Sequence, residues 1–255
     1  MGAIHLVRHG QASFGKANYD KLSPLGITQS EHAGKHFARA GIRFHRVAAG
    51  EMVRHQETMQ HCLQAMQHYH AKAEPAEISI HANSGIDAID AAPLINGTFN
   101  EFDHEEVVAR FRPDFADKSV MASYLAQQPR PAAAFQSIFD QAMRRWLSGE
   151  YDEDYKESWE HFRTRCLTGF HALLEHCAAG ENIAVFTSGG PISVITQHLL
   201  GVPDEHVLNL NYAMINASIT KIFYNGERVS LSSFNSYSHP EQANTPNLVT
   251  YRSKR

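Results

Sequence analysis

Short apolar runs alternate along this chain with longer segments of helical periodicity. The runs that predict strands are Ala3–Val7, Val47–Gly50, Ile78–His81 with nearby Ile86, and Ile183–Thr187. The first and last runs are almost wholly apolar, which is typical of strands buried on both faces of a parallel sheet.

Helical patterns follow the first two runs. Ser23 suits the N-cap position and Pro24 the first helical position, so we expect a helix from there to Gly41. A second helix should start near Arg54, because one apolar face then recurs at helical spacing. That face consists of Met59, Cys62, Leu63 and Met66.

Two stripes of aromatic and aliphatic residues predict further helices in the middle of the chain, and such stripes are usually core. The first stripe is Phe135, Ile138, Phe139, Ala142 and Trp146. The second is Trp159, Phe162, Cys166, Phe170, Leu173 and Cys177. A later helix should start at Pro191 and reach Gly201. Ala217–Tyr224 and Arg228–Asn235 predict a β-hairpin through Asn225-Gly226, a dipeptide that favours a type I′ turn.

Strands that alternate with helices predict an α/β fold, with a mainly parallel sheet and helices on both faces. The 255 residues fit a single domain over 1–255. Residues from about 86 to 179 show helical pattern and little strand pattern. We therefore expect them to form a helical cap inserted into that domain.

Composition narrows the class of partner. The net charge of −4 argues against nucleic acid or an acidic membrane as the main partner. No apolar run approaches the roughly 18 residues that a membrane-spanning helix needs, and charge appears too early for a secretory signal, so a cytoplasmic location is expected. Cys62, Cys166 and Cys177 lie in apolar helical patterns, which favours buried thiols over disulfides or zinc ligands.

A metal site is one alternative in a chain with 17 histidines. His61, His68 and His70 lie close together near one predicted helix end, but no carboxylate pair is spaced to complete a site. We therefore expect neither a metal nor an organic cofactor.

Two loops at strand ends carry the candidate chemistry. Ligands of open α/β sheets bind beyond the carboxyl ends of the strands, and here those ends read Arg8-His9-Gly10 and Ser188-Gly189-Gly190. Arg8 offers a fixed cation, His9 a nitrogen nucleophile that is partly neutral at pH 7, and Gly10 close backbone approach to a substrate. The alternative is a polar strand end whose arginine and histidine are simply solvated.

The sequence around the first loop resembles a known family. Leu6-Val7-Arg8-His9-Gly10-Gln11-Ala12, followed by Leu22-Ser23-Pro24-Leu25-Gly26-Ile27-Thr28-Gln29, is similar to the opening of the histidine phosphatase superfamily, also called phosphoglycerate mutase-like. That family combines an R-H-G tripeptide with an L-[ST]-x-x-G-x-x-Q helix start. The two motifs at this separation are far more specific than either alone.

The resemblance implies roles for several residues. His9 matches the nucleophile that becomes phosphorylated, and Arg8 the first phosphate-binding arginine. Arg54 matches the second, with Gly50 where serine is usual. Two arginines suit a phosphate chemically, because a guanidinium binds its oxygens bidentately. Two further residues, Gln11 and Asn18, are expected to contact the phosphate.

The resemblance also implies an acid. Phe99-Asn100-Glu101-Phe102-Asp103 is similar to the family segment whose glutamate protonates the leaving group, so Glu101 is the candidate acid. Asp103, Glu105 and Glu106 are nearby alternatives.

One position departs from the pattern. Most members carry a second histidine in an S-H-G-G motif, and here Phe186-Thr187-Ser188-Gly189-Gly190 places Ser188 there. Ser188 and the backbone of Gly189 and Gly190 would donate hydrogen bonds to a phosphoryl oxygen, or Ser188 is an ordinary N-cap. Near the other end, Phe234-Asn235-Ser236-Tyr237-Ser238-His239 resembles the family's closing N-x-x-x-H.

The resemblance implies a phosphatase that acts on a small phosphorylated substrate through a phosphohistidine on His9. Because Ser188 lacks a cationic side chain, the first alternative is a weak or inactive phosphate-binding pseudophosphatase. The second is a mutase-type phosphotransferase, which the absence of an E-R-x-Y-G segment near Glu101 disfavours. The sequence specifies neither the substrate nor the oligomeric state.

Overall fold

The computed structural model describes residues 1–13, 20–73, 87–88, 97–226, 228–237 and 248–250, without the side chains of 70–73 and 87–88. Within these residues the strands form one six-stranded sheet. They are β1 (Gly2–Arg8), β2 (Arg46–Ala49), β3 (Asp87–Ala88), β4 (Asn182–Thr187), β5 (Ile219–Asn225) and β6 (Arg228–Ser236). The predicted strand Ile78–His81 and Ile86 lie outside the described residues.

The sheet is mainly parallel, as predicted. Its order is β3-β2-β4-β1-β5-β6, and the first four strands of that order run parallel to one another. Strand β5 is antiparallel to β1, and β6 is antiparallel to β5. All seven residues of β1 are buried, because this strand lies inside the sheet and is covered on both faces.

Helices cover the two faces of the sheet, which confirms the predicted fold class. On one face, α1 (Pro24–Arg39) and α2 (Val53–Ala73) pack on a core that includes Val7 and Phe186. On the other face, α6 (Trp159–Glu175) and α7 (Gly189–Leu200) contribute to the core around Leu6. Successive strand side chains point to opposite faces, which is why neighbouring residues of β1 enter different clusters.

The first helix begins as predicted. The Oγ of Ser23 accepts the N–H of Gly26 at 3.0 Å, and Pro24 is the first helical residue. The helix ends at Arg39, before the expected Gly41, which adopts a positive φ of 65°. Glycine suits the left-handed region that stops a helix at this point.

Two predicted boundaries are wrong. Helix α7 begins at Gly189 and not at Pro191, so both glycines lie in its first turn. In the hairpin, Asn225 pairs with Arg228, so the connecting residues start at Gly226 and not at Asn225. Gly226 has a φ of 59°, and a positive φ is easiest for glycine.

The described chain divides into two compact units: Met1–Glu101 with Cys166–Lys254, and Phe102–Arg165. The second unit has narrower bounds than the expected insertion of about 86–179. Strand β3 belongs to the sheet of the first unit, and the C-terminal part of α6 contributes Phe170 to the core of that unit.

The second unit contains α3 (His104–Phe111), α4 (Lys118–Ala126), α5 (Pro131–Leu147) and the start of α6. Its centre is aromatic. Trp146 lies 4.6 Å from Phe102 and 5.5 Å from Trp159, measured between ring centroids. The buried residues of α5 are Ile138, Phe139, Ala142, Met143 and Trp146, so this predicted stripe is core.

The remaining described elements are short. Helix α8 (Val207–Ala213) follows a 3-10 turn at Asp204–His206.

Cys62 and Cys166 are buried and Cys177 is half-buried, and none of the three forms a disulfide. In the described parts of the chain, no helix is both long and apolar enough to cross a membrane.

Candidate active site

The loop after β1 is tied to three neighbouring elements. The backbone N–H of His9 donates to the carbonyl of Thr187 at 2.8 Å, and the N–H of Ala217 donates to the carbonyl of His9 at 3.2 Å. The N–H of Gly10 donates to Oγ1 of Thr58 at 3.0 Å. These bonds connect the loop to β4, to the segment before β5 and to α2, so they fix the backbone of His9.

Gly10 packs closely against the start of α1. A Cβ on this residue would lie 2.3 Å from the carbonyl oxygen of Gly26, and a Cβ on Gly26 would lie 2.1 Å from that of Gln11. Both glycines therefore allow close packing between the loop and the start of α1. This packing alone requires a glycine at position 10, and the approach of Gly10 to a substrate stays a prediction.

The side chain of His9 is held in one tautomer. Its Nδ1 lies 2.7 Å from the carbonyl oxygen of Gly10, and since a carbonyl only accepts, Nδ1 carries the proton. The lone pair is then on Nε2. Burial, followed by the charges of Arg54 and Arg8, lowers the pKa of His9 well below its ordinary value. At neutral pH this imidazole is therefore uncharged and chemically able to act as a nucleophile.

Both expected arginines are buried. Both also lie close enough to His9 for their charges to lower its pKa. The guanidinium of Arg8 donates to the carbonyl of Met214. Arg54 lies in the first turn of α2, and its NH1 is 2.6 Å from an oxygen of Asp20. The other oxygen of Asp20 accepts the N–H of Val53 at 2.8 Å. This carboxylate therefore supplies the anion that the start of α2 and Arg54 both favour.

Glu101 belongs to the segment before α3, and its side chain contacts the first turn of α7. It is buried, and its Oε2 accepts the N–H of Gly190 at 3.1 Å. The segment before it is fixed at two points. Thr187 donates its hydroxyl proton to the carbonyl of Phe99, and Asn100 accepts the N–H of Glu51 at 2.7 Å. Glu101 is thus held beside the loop that follows β4.

The three alternative acids have other contacts. Asp103 is the N-cap of α3 and accepts the N–H groups of Glu105 and Glu106, each at 3.0 Å. Glu105 accepts from Lys118, and Glu106 accepts from Arg110. The three carboxylates therefore serve helix capping and ion pairing within the second unit.

Ser188 is fully buried and does not behave as an ordinary N-cap. It stands at the N-cap position of α7, but its side chain makes no capping hydrogen bond. Its Oγ is instead hydrogen-bonded to Nε2 of His55 at 2.6 Å. The N-cap interpretation of this side chain is therefore wrong.

The backbone donors of the same loop are partly used. Gly189 and Gly190 are the first two residues of α7, and the N–H of Gly190 is bonded to Glu101. Of the two N–H groups expected to face a phosphoryl oxygen, that of Gly190 thus already binds a carboxylate.

Two of the remaining predicted residues, Gln11 and Asn235, are described by the structure. Oε1 of Gln11 accepts the hydroxyl of Ser23 at 2.9 Å, so a phosphoryl contact would have to come from its Nε2. Asn18 and His239 lie outside the described residues. Asn235 accepts the N–H of Ile215 and donates to the carbonyl of Ala213, each at 2.8 Å. It thereby supports the segment whose Met214 carbonyl binds Arg8.

Within the described residues, no group of three histidine, cysteine, aspartate or glutamate side chains is arranged to hold a metal. The side chain of His70, one of the three clustered histidines, lies outside them.

A sequence model of the histidine phosphatase superfamily (branch 1) matches residues 4–140 and 123–237. The chain belongs to this superfamily. The match includes the loop of His9, the start of α2, Glu101 and the loop after β4. No curated protein sequence matches the chain.

Solved structures of this superfamily fold are similar over almost the whole chain. A phosphoglycerate mutase from Bacillus anthracis has a TM-score of 0.60 at 16% identity, covering 95% of this chain and 96% of that one. A mutant phosphoserine phosphatase from Entamoeba histolytica, in complex with phosphoserine, has 0.57 at 16%, covering 94% and 99%. An alpha-ribazole phosphatase from Shigella flexneri has 0.55 at 18%, covering 92% and 96%. At these identities the likeness establishes the fold.

The sequence missed His55. Its ring centroid lies 5.7 Å from that of His9, and its Nε2 is bonded to Ser188. Two signals in the sequence were available: a glycine at position 50, where the family usually has serine, and a histidine directly after Arg54. Neither signal points to Ser188, which is 133 residues away.

Proposed function

We propose that this histidine phosphatase superfamily member is a metal-independent phosphomonoesterase that acts through a phosphohistidine on His9. The observation that carries the proposal is the state of His9. Its Nδ1 proton is bound by the Gly10 carbonyl, and burial together with two arginines keeps the ring uncharged. A lone pair on Nε2 with two cations nearby is suited to attack the phosphorus of a phosphate monoester.

In the first step, Nε2 of His9 forms a bond to phosphorus while the bond from phosphorus to the alkoxide oxygen breaks. Arg8 and Arg54 neutralise the non-bridging oxygens, where charge develops in the transition state. Arg54 would exchange the carboxylate of Asp20 for a phosphoryl oxygen, or share itself between them. Two arginines supply this charge without a divalent ion.

Glu101 protonates the departing alkoxide in that step and takes a proton from water in the next. Its buried position at the first turn of α7 supports this role more than the contacts of Asp103, Glu105 and Glu106 support theirs. Water then attacks the phosphohistidine, which releases inorganic phosphate and restores His9.

The substrate class is a small phosphorylated compound. Two of the similar solved structures are named phosphatases and one a mutase. A mutase would return the phosphoryl group to a second hydroxyl instead of water. The chain lacks the E-R-x-Y-G segment near Glu101, which favours hydrolysis.

The test is to trap the intermediate with EDTA present. The protein is mixed with an aryl phosphate, quenched in alkali within milliseconds and analysed by mass spectrometry. We expect one phosphoryl group on His9, free phosphate at steady state, and neither in His9→Ala. His32→Ala, a change of a surface histidine on α1, should behave like the wild type.

Three results would contradict the proposal. Binding without any phosphoryl transfer would identify a pseudophosphatase. Transfer to added sugar-acid acceptors in preference to water would identify a mutase. Activity that EDTA removes and a divalent ion restores would identify a metal-dependent mechanism.

A further inference from the structure

His55 and Ser188 form a buried pair beside His9, and the reaction above leaves His55 without a role. We propose that the pair acts as one unit, in which Nε2–H of His55 donates to Oγ of Ser188 and the serine hydroxyl proton is donated to a phosphoryl oxygen. Ser188 is then a catalytic residue and His55 a positioning residue. The inference rests on the proposed chemistry at His9.

Geometry places the pair at the nucleophile. Nε2 of His55 and Oγ of Ser188 are 2.6 Å apart, and both residues are 0% exposed. The rings of His9 and His55 are 5.7 Å apart between centroids and inclined by 36°. Ser188 directly follows Thr187, whose carbonyl accepts the N–H of His9. The pair and the nucleophile therefore lie on adjoining segments at the same end of the sheet.

Ser188 forms this pair in place of a capping hydrogen bond to the start of α7. Serine is favoured at an N-cap because its oxygen accepts an N–H of the first helical turn. Here the residue has the extended backbone of an N-cap, but its side chain is directed to His55. The hydroxyl is thus committed to the site and not to the helix end.

Gly50 creates the space for the imidazole. A Cβ on this residue would lie 2.3 Å from Nδ1 of His55, a separation that real side chains do not adopt. A larger residue at position 50 would require the ring, and with it the bond to Ser188, to shift. The glycine after β2 and the histidine on α2 therefore belong to one arrangement.

The protons of the pair follow from its surroundings. Among the described residues, Nδ1 of His55 is buried and has no hydrogen-bond partner. An orphaned buried N–H is rarer than an unused acceptor, so the proton of the neutral ring is assigned to Nε2. Oγ of Ser188 then accepts, and its own proton is left for another acceptor. Water is not that acceptor, because Ser188 is 0% exposed. We assign the role to a phosphoryl group on His9, whose backbone N–H is bound by the residue before Ser188.

Four variants test the unit: Ser188→Ala, His55→Leu, the double variant, and His55→Gln, whose amide N–H can reach Oγ. We expect each of the first two to lower kcat about 10²-fold with little change in KM, because the donor acts on transition-state charge. The double variant should fall no further. His55→Gln should stay within about tenfold of the wild type.

Matched controls separate the chemistry from damage to the fold. Ser193→Ala removes another buried hydroxyl of α7, which donates to the Gly189 carbonyl, and His61→Leu alters a histidine further along α2. Both should keep wild-type kcat. Variants with an altered far-ultraviolet spectrum or melting temperature are compared only with controls of equal stability.

Several outcomes overturn the proposal. Losses that multiply in the double variant would show two independent groups, and a His55→Gln as impaired as His55→Leu would show that the donor is not needed. Unchanged kcat in the single variants also overturns it. A Ser188→Ala as inactive as His9→Ala would show that serine does more than donate one hydrogen bond to the phosphoryl group.

The proposed function and this inference can fail separately. If the wild type forms no phosphohistidine, the function fails, and the same four variants are compared by their dissociation constants for vanadate. Non-additive losses of vanadate binding then still support a coupled pair at an anion site. Additive losses, or none, overturn the pair as well.

Discussion

Arg54 interacts with two other residues, Asp20 and His9. Its NH1 binds Asp20 at 2.6 Å, and its charge also lowers the pKa of His9. The arginine is buried and Asp20 is partly exposed, so the carboxylate is the partner that can move. A doubly charged anion beside His9 would bind Arg54 more strongly than one carboxylate does.

Vanadate binding should therefore depend on Arg54. At a hundredfold excess over the dissociation constant, a ligand stabilises the folded state by about 2.7 kcal/mol, which raises the Tm of a chain of this length by about 5–10 °C. We expect that shift for the wild type and a much smaller one for Arg54→Ala, measured by scanning calorimetry.

Arg46→Ala provides the matched control for this measurement. Arg46 is the first residue of β2, at the end of the strand opposite Gly50 and Arg54. It contacts Glu181 and the carbonyl of His176. Its loss should lower Tm without changing the vanadate shift. Equal vanadate shifts in Arg54→Ala and the wild type would remove Arg54 from the anion site.

The residues that the sequence identifies and those it misses differ in how local their signals are. Arg8, His9 and Arg54 stand directly at strand or helix ends, within short motifs. The pairing of His55 with Ser188 depends on a contact between helix α2 and a loop that is distant in sequence, and on the absence of a Cβ at Gly50. No spacing in one sequence encodes such a contact.

At the scale of elements, the packing of α1 on α2 positions much of the site. Helix α2 carries Arg54, His55 and Thr58, and the last of these binds the loop of His9. The two helices touch at Gly34, where a Cβ would lie 2.1 Å from the carbonyl oxygen of Cys62. Backbone contacts backbone here, so neither helix can yield by rotating a side chain.

Gly34→Ala should destabilise the protein although alanine is the better helix former by about 1 kcal/mol. Separating the two helices costs about 1–3 kcal/mol by the usual measure of overpacking. Urea unfolding measures the free energy directly, and kcat should fall as α2 shifts. Lys35→Ala, at the next and partly exposed position of α1, should change stability by less than about 0.5 kcal/mol. A stabilised Gly34→Ala would show that the helices can separate freely.

Element boundaries show the limits of sequence patterns. The start of α1 was predictable because Ser23 and Pro24 act locally. The start of α7 was not, because Pro191 is compatible with several positions of the first turn and the Gly190 N–H is satisfied by Glu101 from another segment. In the same way, the hairpin turn is set by the pairing of Asn225 with Arg228 and not by the Asn-Gly dipeptide alone.

At the scale of the whole molecule, folding keeps several histidines uncharged. Burial is the largest cause that lowers the pKa of His5, His9 and His55. Two of these line the candidate site, whereas His5 is a residue of β1 that packs against both Phe37 and Phe44 on the α1 face. Acid should therefore weaken the core and the site together, because the unfolded chain can protonate all three.

His5 offers the clearest test of this coupling. It is 2% exposed, and burial and Lys221 lower its pKa from 6.5 to about 4. Since the folded pKa is the lower one, the unfolded chain binds the proton first as pH falls. Stability is thus full above about pH 6.5, declines between pH 6.5 and 4, and has lost about 3 kcal/mol once both states are protonated.

His5→Leu removes this titration and places an apolar side chain against the two phenylalanines. We expect the free energy of unfolding in urea to fall less between pH 7.5 and 4.5 for the variant than for the wild type, by about 2 kcal/mol. The other buried histidines are present in both proteins, so the difference between the two pH profiles isolates His5. Parallel profiles would mean that His5 accepts its proton in the folded chain as readily as in the unfolded one, and that the core around β1 admits a charge.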